Sequence, residues 1–187
     1  MKISRELLGM VLCTEFDGEI TKALITETEA YAGETDKASH AYAGRRTKRT
    51  EPIYGDAGHA YVYLCYGIHH LFNVVTNKPG TPHAVLVRAG FPLDGKQTML
   101  RRRNKNKADK ALLGGPGSIG QALGITTKTT GADLQGPTIW IEDHAIRLAN
   151  KLIDVGPRVG VDYAEEDAAL PYRFSVKYQT MQELICS

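Results

Sequence analysis

The stretch His59–Val75, HAYVYLCYGIHHLFNVV, holds two runs rich in β-branched and aromatic residues, joined through Tyr66-Gly67. A glycine-containing break between two such runs signals a hairpin, because tight antiparallel turns need backbone at positive φ. The stretch therefore commits the chain to an antiparallel pair: a strand at Ala60–Cys65, a turn at Tyr66-Gly67 and a strand at Leu71–Thr76. On the first strand Tyr61 and Tyr63 share one face, where ordinary core packing competes with a working role. Tyr66 is different. A tyrosine at a hairpin tip covers no core, so it is either a local accident or a tool aimed outward.

The same period-2 pattern recurs elsewhere. VLCTEFDGEITKALITETEAY reads as two strands around Asp17-Gly18, a dipeptide suited to a hairpin turn. On the second of these, Ile25, Glu27, Glu29 and Tyr31 fall on one face. HAVLVRAG is a further strand, with Leu86 and Arg88 on one face, and TIWIE and YRFSVKY are later candidates. Helices are short by comparison. DGKQTMLRRRNKNKADK starts as a helix and ends as a basic run, and KADKALLG also reads as helical. GSIGQALGI is a short helix, with Ser118 and Gln121 as a capping box and Gly124 at its end. Gly33–Gly58 is poor in apolar residues and reads as a long exposed connection. A chain of 187 residues has room for one sizeable core. The expectation is one α+β domain over residues 1–187, built on a mainly antiparallel sheet with short surrounding helices.

Charge and cysteine content narrow the class. The net charge of +2 does not itself imply nucleic acid. Cys13, Cys65 and Cys186 lie far apart, which favours a reduced, cytosolic-type protein over a secreted one. Arg5 and Glu6 interrupt any apolar leader, and no run approaches membrane-spanning length. The positive charge is local. Arg45, Arg46, Lys48 and Arg49 form one cluster, and Arg101–Lys110 holds six basic residues against the single acid Asp109. Most charge runs are solvated faces, but two local clusters also suit a phosphate backbone.

Glu27 and Glu29 read first as a solvated strand face, since carboxylates are mostly exposed. A carboxylate enclosed beside an aromatic would instead suit a general base acting on water. A lone loop histidine such as His40 is more often structural, and no H-E-x-x-H or Cys/His spacing points to zinc. GPGSIG matches a dinucleotide fingerprint, but no strand precedes it and Asp133 comes too early for the ribose acid. What survives is a glycine-rich helix N-terminus able to seat a phosphate.

Taken in order, ETEAYAGETDKASHAYAGRRTKR, GHAYVYLCYGIHHLFNVV, AVLVRA, GGPGSIGQALGI, RVGVDYA and RFSVK resemble the 3-methyladenine DNA glycosylases of the alkyladenine (AAG-type) class. The resemblance spans about Leu7 to Lys177. It implies a curved sheet with a protruding hairpin that enters the DNA minor groove. It implies hydrolysis of the N-glycosidic bond of alkylated or deaminated purines in double-stranded DNA, by a monomer without metal or cofactor. Glu29 falls on the water-activating carboxylate, and Arg88 on an arginine that helps hold the water. Tyr31, His40 and Tyr63 fall on the enclosure of the flipped base, and Asn73 on the asparagine that disfavours a guanine amino group. Val176 matches a backbone carbonyl that also holds the water, and Tyr66 the intercalating tip. Phosphate contacts are implied at Arg45, Thr47, Arg49, Gly117 and Ser118. The chain departs from the pattern at TKRT (Thr47–Thr50), where relatives often show T-P-R-N, and at Ser118, where a lysine is common. The implied location is cytoplasmic, at the nucleoid of a bacterium, or nuclear in a eukaryote. Two other readings stay open: a catalytically silent DNA-binding relative, and another nucleotide hydrolase or transferase on the same fold.

Overall fold

The computed structural model describes residues 1–186, and the side chain of Cys186 and residue 187 lie outside that description. Eight strands form one antiparallel sheet: β1 (Val11–Phe16), β2 (Glu19–Tyr31), β3 (Ala60–Cys65), β4 (His69–Val75), β5 (Ala84–Asp94), β6 (Ile139–Glu142), β7 (Asp154–Gly156) and β8 (Arg173–Ser175). The order is β3-β4-β5-β2-β1-β6, with β8 paired to β2 and β7 to β8. Helices α1 (Lys2–Glu6), α2 (Lys96–Arg102), α3 (Pro116–Ala122) and α4 (Tyr178–Cys186) surround it. This is the expected α+β class.

The 13-residue β2 is the spine of the sheet. Its first half pairs with β1 through the Asp17-Gly18 turn, whose φ values of 55° and 75° fit the mirror-image turn that hairpins prefer. Its second half, Glu27–Glu29, pairs with β8 on that same side, while β5 runs along the other. The β2–β5 register slips on both sides of Glu27. These irregularities break the simple alternation. Ile25 packs into the main core, while Glu27, Glu29 and Tyr31 form a separate polar cluster.

The opening hairpin forms as expected at β3, and β4 starts two residues earlier than expected, at His69. Tyr66 and Gly67 both lie at positive φ, 51° and 73°. The root of the hairpin is clamped by α3. A Cβ on Gly120 would collide with the backbone carbonyl oxygen of His70, and one on Gly117 would meet the His69 ring at 2.7 Å. Glycine at both positions lets helix and strand approach this closely.

Three local expectations fail. Ser118 and Gln121 form no capping box, because Gly115 is the N-cap and both side chains are taken by Arg103. Residues 107–114 are turns rather than helix, held by burial of Leu112 and Leu113 in the core. Gly33–Gly58 is not simply exposed. It carries three short 3₁₀ turns and buries Ala38, Ala41, Ile53 and Tyr54. Its polar backbone is met internally: the Asp36 carboxylate accepts the N–H groups of Ala32 (2.9 Å) and Ala38 (3.0 Å).

Candidate active site

Glu29 sits mid-sheet between Leu86 of β5 and Arg173 of β8, and is 0% exposed. A solvated face is thereby overturned for this residue, because β8 and the 157–169 segment cover it. Its Oε1 accepts the Val159 N–H at 2.8 Å and lies 3.3 Å from Arg88 Nη1. Its Oε2 accepts the Tyr31 hydroxyl at 2.9 Å. Burial raises its pKa above the ordinary carboxylate value, and Arg88, the Val159 N–H and the Tyr31 O–H oppose that rise. Glu27 is only half-buried and faces two arginines, Arg88 Nε at 3.0 Å and Arg173 at 3.5 Å.

Tyr31 connects this carboxylate to an aromatic chamber. Tyr31, His40, Tyr61, Tyr63, Asn73 and Tyr163 line a cavity of about 40 Å³. The His40 and Tyr63 rings meet edge-on with centroids 4.5 Å apart, and Tyr61 and Tyr63 lie 5.6 Å apart. Glu29 itself stands behind Tyr31, outside the cavity lining. Asn73 is buried and fixed by two bonds from its Nδ2, to the carbonyls of Tyr61 (3.1 Å) and Leu71 (3.2 Å). His40 has its pKa pushed down to about 4 by burial first and then by Arg49 and Arg45, so it is neutral at physiological pH. Its Nε2 lies 3.3 Å from an Arg49 nitrogen and its Nδ1 2.9 Å from the Tyr61 hydroxyl. Arginine has only donors, so Nε2 accepts and Nδ1 carries the proton given to Tyr61. Arg49 also lies over the Tyr63 ring at 5.2 Å, a cation–π contact.

The remaining expected residues fall around this centre. Tyr66 is 92% exposed at the tip, flanked by exposed Leu64 and Ile68. Arg45, Thr47 and Arg49 are exposed on the loop beside the chamber. Arg46 is not free, since it pairs with Glu51 and stacks on Tyr54. Gly117 and Ser118 lie on α3 against the hairpin, with the Ser118 hydroxyl accepting from Arg103 at 2.9 Å. The second basic run is partly spent on structure, because Arg101 and Arg102 both pair with Glu19. Val176 is not brought to the chamber. It lies in the core and in the wall of a separate cavity with Glu27 and Tyr178. A cavity of about 600 Å³ between α1 and residues 143–153 is lined by none of the expected residues.

Tyr61, Tyr163, Arg158 and Asp36 also belong to this region, and none of them was assigned a role from sequence. Tyr61 carried a signal, sharing a strand face with Tyr63. Asp36, Arg158 and Tyr163 fall inside the blocks ETEAYAGETDKASHAYAGRRTKR and RVGVDYA that carry the resemblance, but no spacing within them pairs Asp36 with Arg158.

A family model for methylpurine-DNA glycosylase (MPG) matches residues 1–180. The chain belongs to this family. It is thus a DNA glycosylase, a hydrolase acting on the N-glycosidic bond in DNA repair. A Bacillus cereus relative is 47% identical over 186 residues, covering 95% of this chain and 90% of the relative. A Chlamydia felis relative is 44% identical over 183 residues, covering 97% and 93%. Both carry the name "Putative 3-methyladenine DNA glycosylase". In the glycosylase, Tyr31, His40, Tyr63 and Asn73 line one aromatic slot, and Tyr31 links it to the buried Glu29.

Proposed function

We propose that this glycosylase releases alkylated or deaminated purines of the 3-methyladenine type from double-stranded DNA and leaves an abasic site. The observation that carries the reading is the fully buried Glu29 bonded to a tyrosine of the chamber wall. A base inside a duplex cannot reach such a slot, so the nucleotide must leave the stack. Tyr66, held outward on a clamped hairpin, fills the gap it leaves. Arg45, Thr47, Arg49, Gly117 and Ser118 hold the flanking phosphates. Aromatic faces then favour a cationic base by about 0.5–2 kcal/mol.

Glu29 Oε1 is occupied by Val159 and Arg88, whereas Oε2 has one partner, Tyr31. Oε2 is therefore the oxygen with a lone pair to spare, and it takes the proton of the attacking water. The water oxygen bonds to the sugar carbon, the N-glycosidic bond breaks, and its electron pair leaves with the base. A cationic base departs neutral and needs no acid. Arg88 favours the ionised carboxylate from the Oε1 side. Among the described residues no lysine lines the chamber, so the reading is simple hydrolysis without strand nicking. Residues 1–187 act as one monomeric domain in the cytoplasm, with no cofactor.

The test is incubation with duplexes carrying 3-methyladenine, 7-methylguanine, hypoxanthine or ethenoadenine. Free purine and alkali-labile sites are expected, with no nick before alkali. Tight lesion binding with no purine released from any substrate would overturn the reading in favour of a silent DNA-binding relative.

A further inference from the structure

Behind Tyr31, on the side away from solvent, lies a buried ion pair that the excision chemistry above does not use. Arg158 and Asp36 have side chains 0% and 1% exposed. They form a two-pronged contact, Nη1 to Oδ2 at 2.5 Å and Nη2 to Oδ1 at 2.8 Å. Taking two charges out of water costs several kcal/mol each, so such a pair is a weak source of stability. Its other contacts show what it holds. Arg158 Nη1 donates to the Ala30 carbonyl at 3.0 Å, between Glu29 and Tyr31. Asp36 Oδ2 accepts the Ala32 N–H at 2.9 Å, on the far side of Tyr31. The pair thus grips the end of β2 on both flanks of the tyrosine. The guanidinium lies over the Tyr31 ring at 4.9 Å and the Tyr172 ring at 5.1 Å. The next residue, Val159, supplies the N–H that binds Glu29. The Arg158 Nε is the one buried side-chain polar atom without a partner among the described residues. A lone unsatisfied donor is a cost that a purely stabilising arrangement would avoid.

We propose that Arg158, anchored on Asp36, is a positioning residue for base excision, fixing the Tyr31 ring and presenting the Val159 N–H to the Glu29 carboxylate. This rests on the reading of Glu29 as the water-activating base. Lysine cannot replace the arginine, because a single ammonium cannot serve two carboxylate oxygens, a carbonyl and two rings from one place.

The groups facing Glu29 set the expected pH behaviour. They are Glu27 and Tyr31 from β2, Arg88 from β5, Arg173 from β8, and the Val159 N–H, Arg158 and Tyr163 from the covering segment. The Val159 N–H favours the ionised carboxylate. Losing it raises a carboxylate pKa that is already high, so Glu29 protonates sooner as pH falls and the acid limb of the rate profile moves up.

The experiment measures single-turnover release of 3-methyladenine across pH for wild type, Arg158→Lys and Glu29→Gln, with rates normalised to sites titrated by an abasic-site analogue duplex. For Arg158→Lys a rate lower by about 10- to 100-fold is expected, with the acid limb shifted up by about one pH unit. His40 also titrates on the acid side, but its partners are Tyr61 and Arg49 rather than Arg158, so its contribution stays in place. If Arg158→Lys does not fold, Asp36→Asn/Arg158→Gln carries the same measurement, with a neutral amide pair replacing the buried charges. An acid limb that stays at the wild-type position in the folded variant overturns the positioning role. Retained release by Glu29→Gln overturns the base assignment instead, so the two failures are distinguishable.

Discussion

Glu29→Gln separates what the site does from what it costs. The swap keeps the shape and can keep every contact. The amide oxygen accepts from Val159 and faces Arg88, and the amide nitrogen donates to the Tyr31 hydroxyl. Arg88 is not stranded, since Glu27 remains 3.0 Å from its Nε. The Val159 and Tyr31 contacts become neutral and Arg88 keeps a charge–dipole contact in place of an ion pair, a loss of about 1 kcal/mol each, or about 3 in total. Against that, an ion fully removed from water no longer has to be kept there, a relief of several kcal/mol. The sign of the net follows from linkage. Burial holds the Glu29 pKa above its unfolded value, so the native state binds more protons in that window and the ionised form is a net load above it. The variant should therefore be at least as stable as wild type, with a melting temperature no lower. Losing a general base should slow base release by about 10²- to 10⁴-fold. Calorimetry and a single-turnover release assay on one preparation give both numbers. A variant that melts several degrees lower, or that still frees 3-methyladenine at the wild-type rate, refutes the reasoning.

Tyr66→Ala should leave stability within about 0.5 kcal/mol, because the side chain is 92% exposed, while lesion affinity falls by about 5- to 150-fold with the loss of one stacking contact; equal affinity in a binding titration would remove the tip from recognition. Gly120→Ala drives a Cβ into the His70 backbone carbonyl and should cost about 1–3 kcal/mol, whereas Gly117→Ala meets an exposed His69 ring that can swing aside; equal melting points for the two would show the helix–hairpin contact to be slack. His40 should stay neutral until about pH 4. The unfolded imidazole takes its proton near the ordinary 6.5, so stability should decline as pH falls between those values, and an NMR midpoint near 6.5 would contradict the burial.

The sheet was legible because its strands carry local signals: alternation, the Asp17-Gly18 turn and the Tyr66-Gly67 turn. The motif residues Glu29, Tyr31, His40, Tyr63 and Asn73 were legible as a set through their resemblance to a family, and the fold gathers them into one place. Other features were not readable. Glu29 looked solvated because its cover arrives from β8 and the Val159 segment, about 130 residues away in sequence, and no local pattern announces that. Asp36–Arg158 is equally non-local, at a separation of 122 residues. Ser118 misled because its hydroxyl, apt for a cap, has a stronger partner in Arg103. KADKALLG misled because helix propensity is a weak prior beside the burial of Leu112 and Leu113.

The narrow chamber bears on the proposed function. Its volume of about 40 Å³ suits a few ordered waters and no purine. On the proposed reading, seating a base therefore requires the aromatic walls to move apart, His40 from Tyr63 above all, since their centroids are 4.5 Å apart. The free energy spent on that widening would then enter lesion choice alongside the stacking lost when a base leaves the duplex.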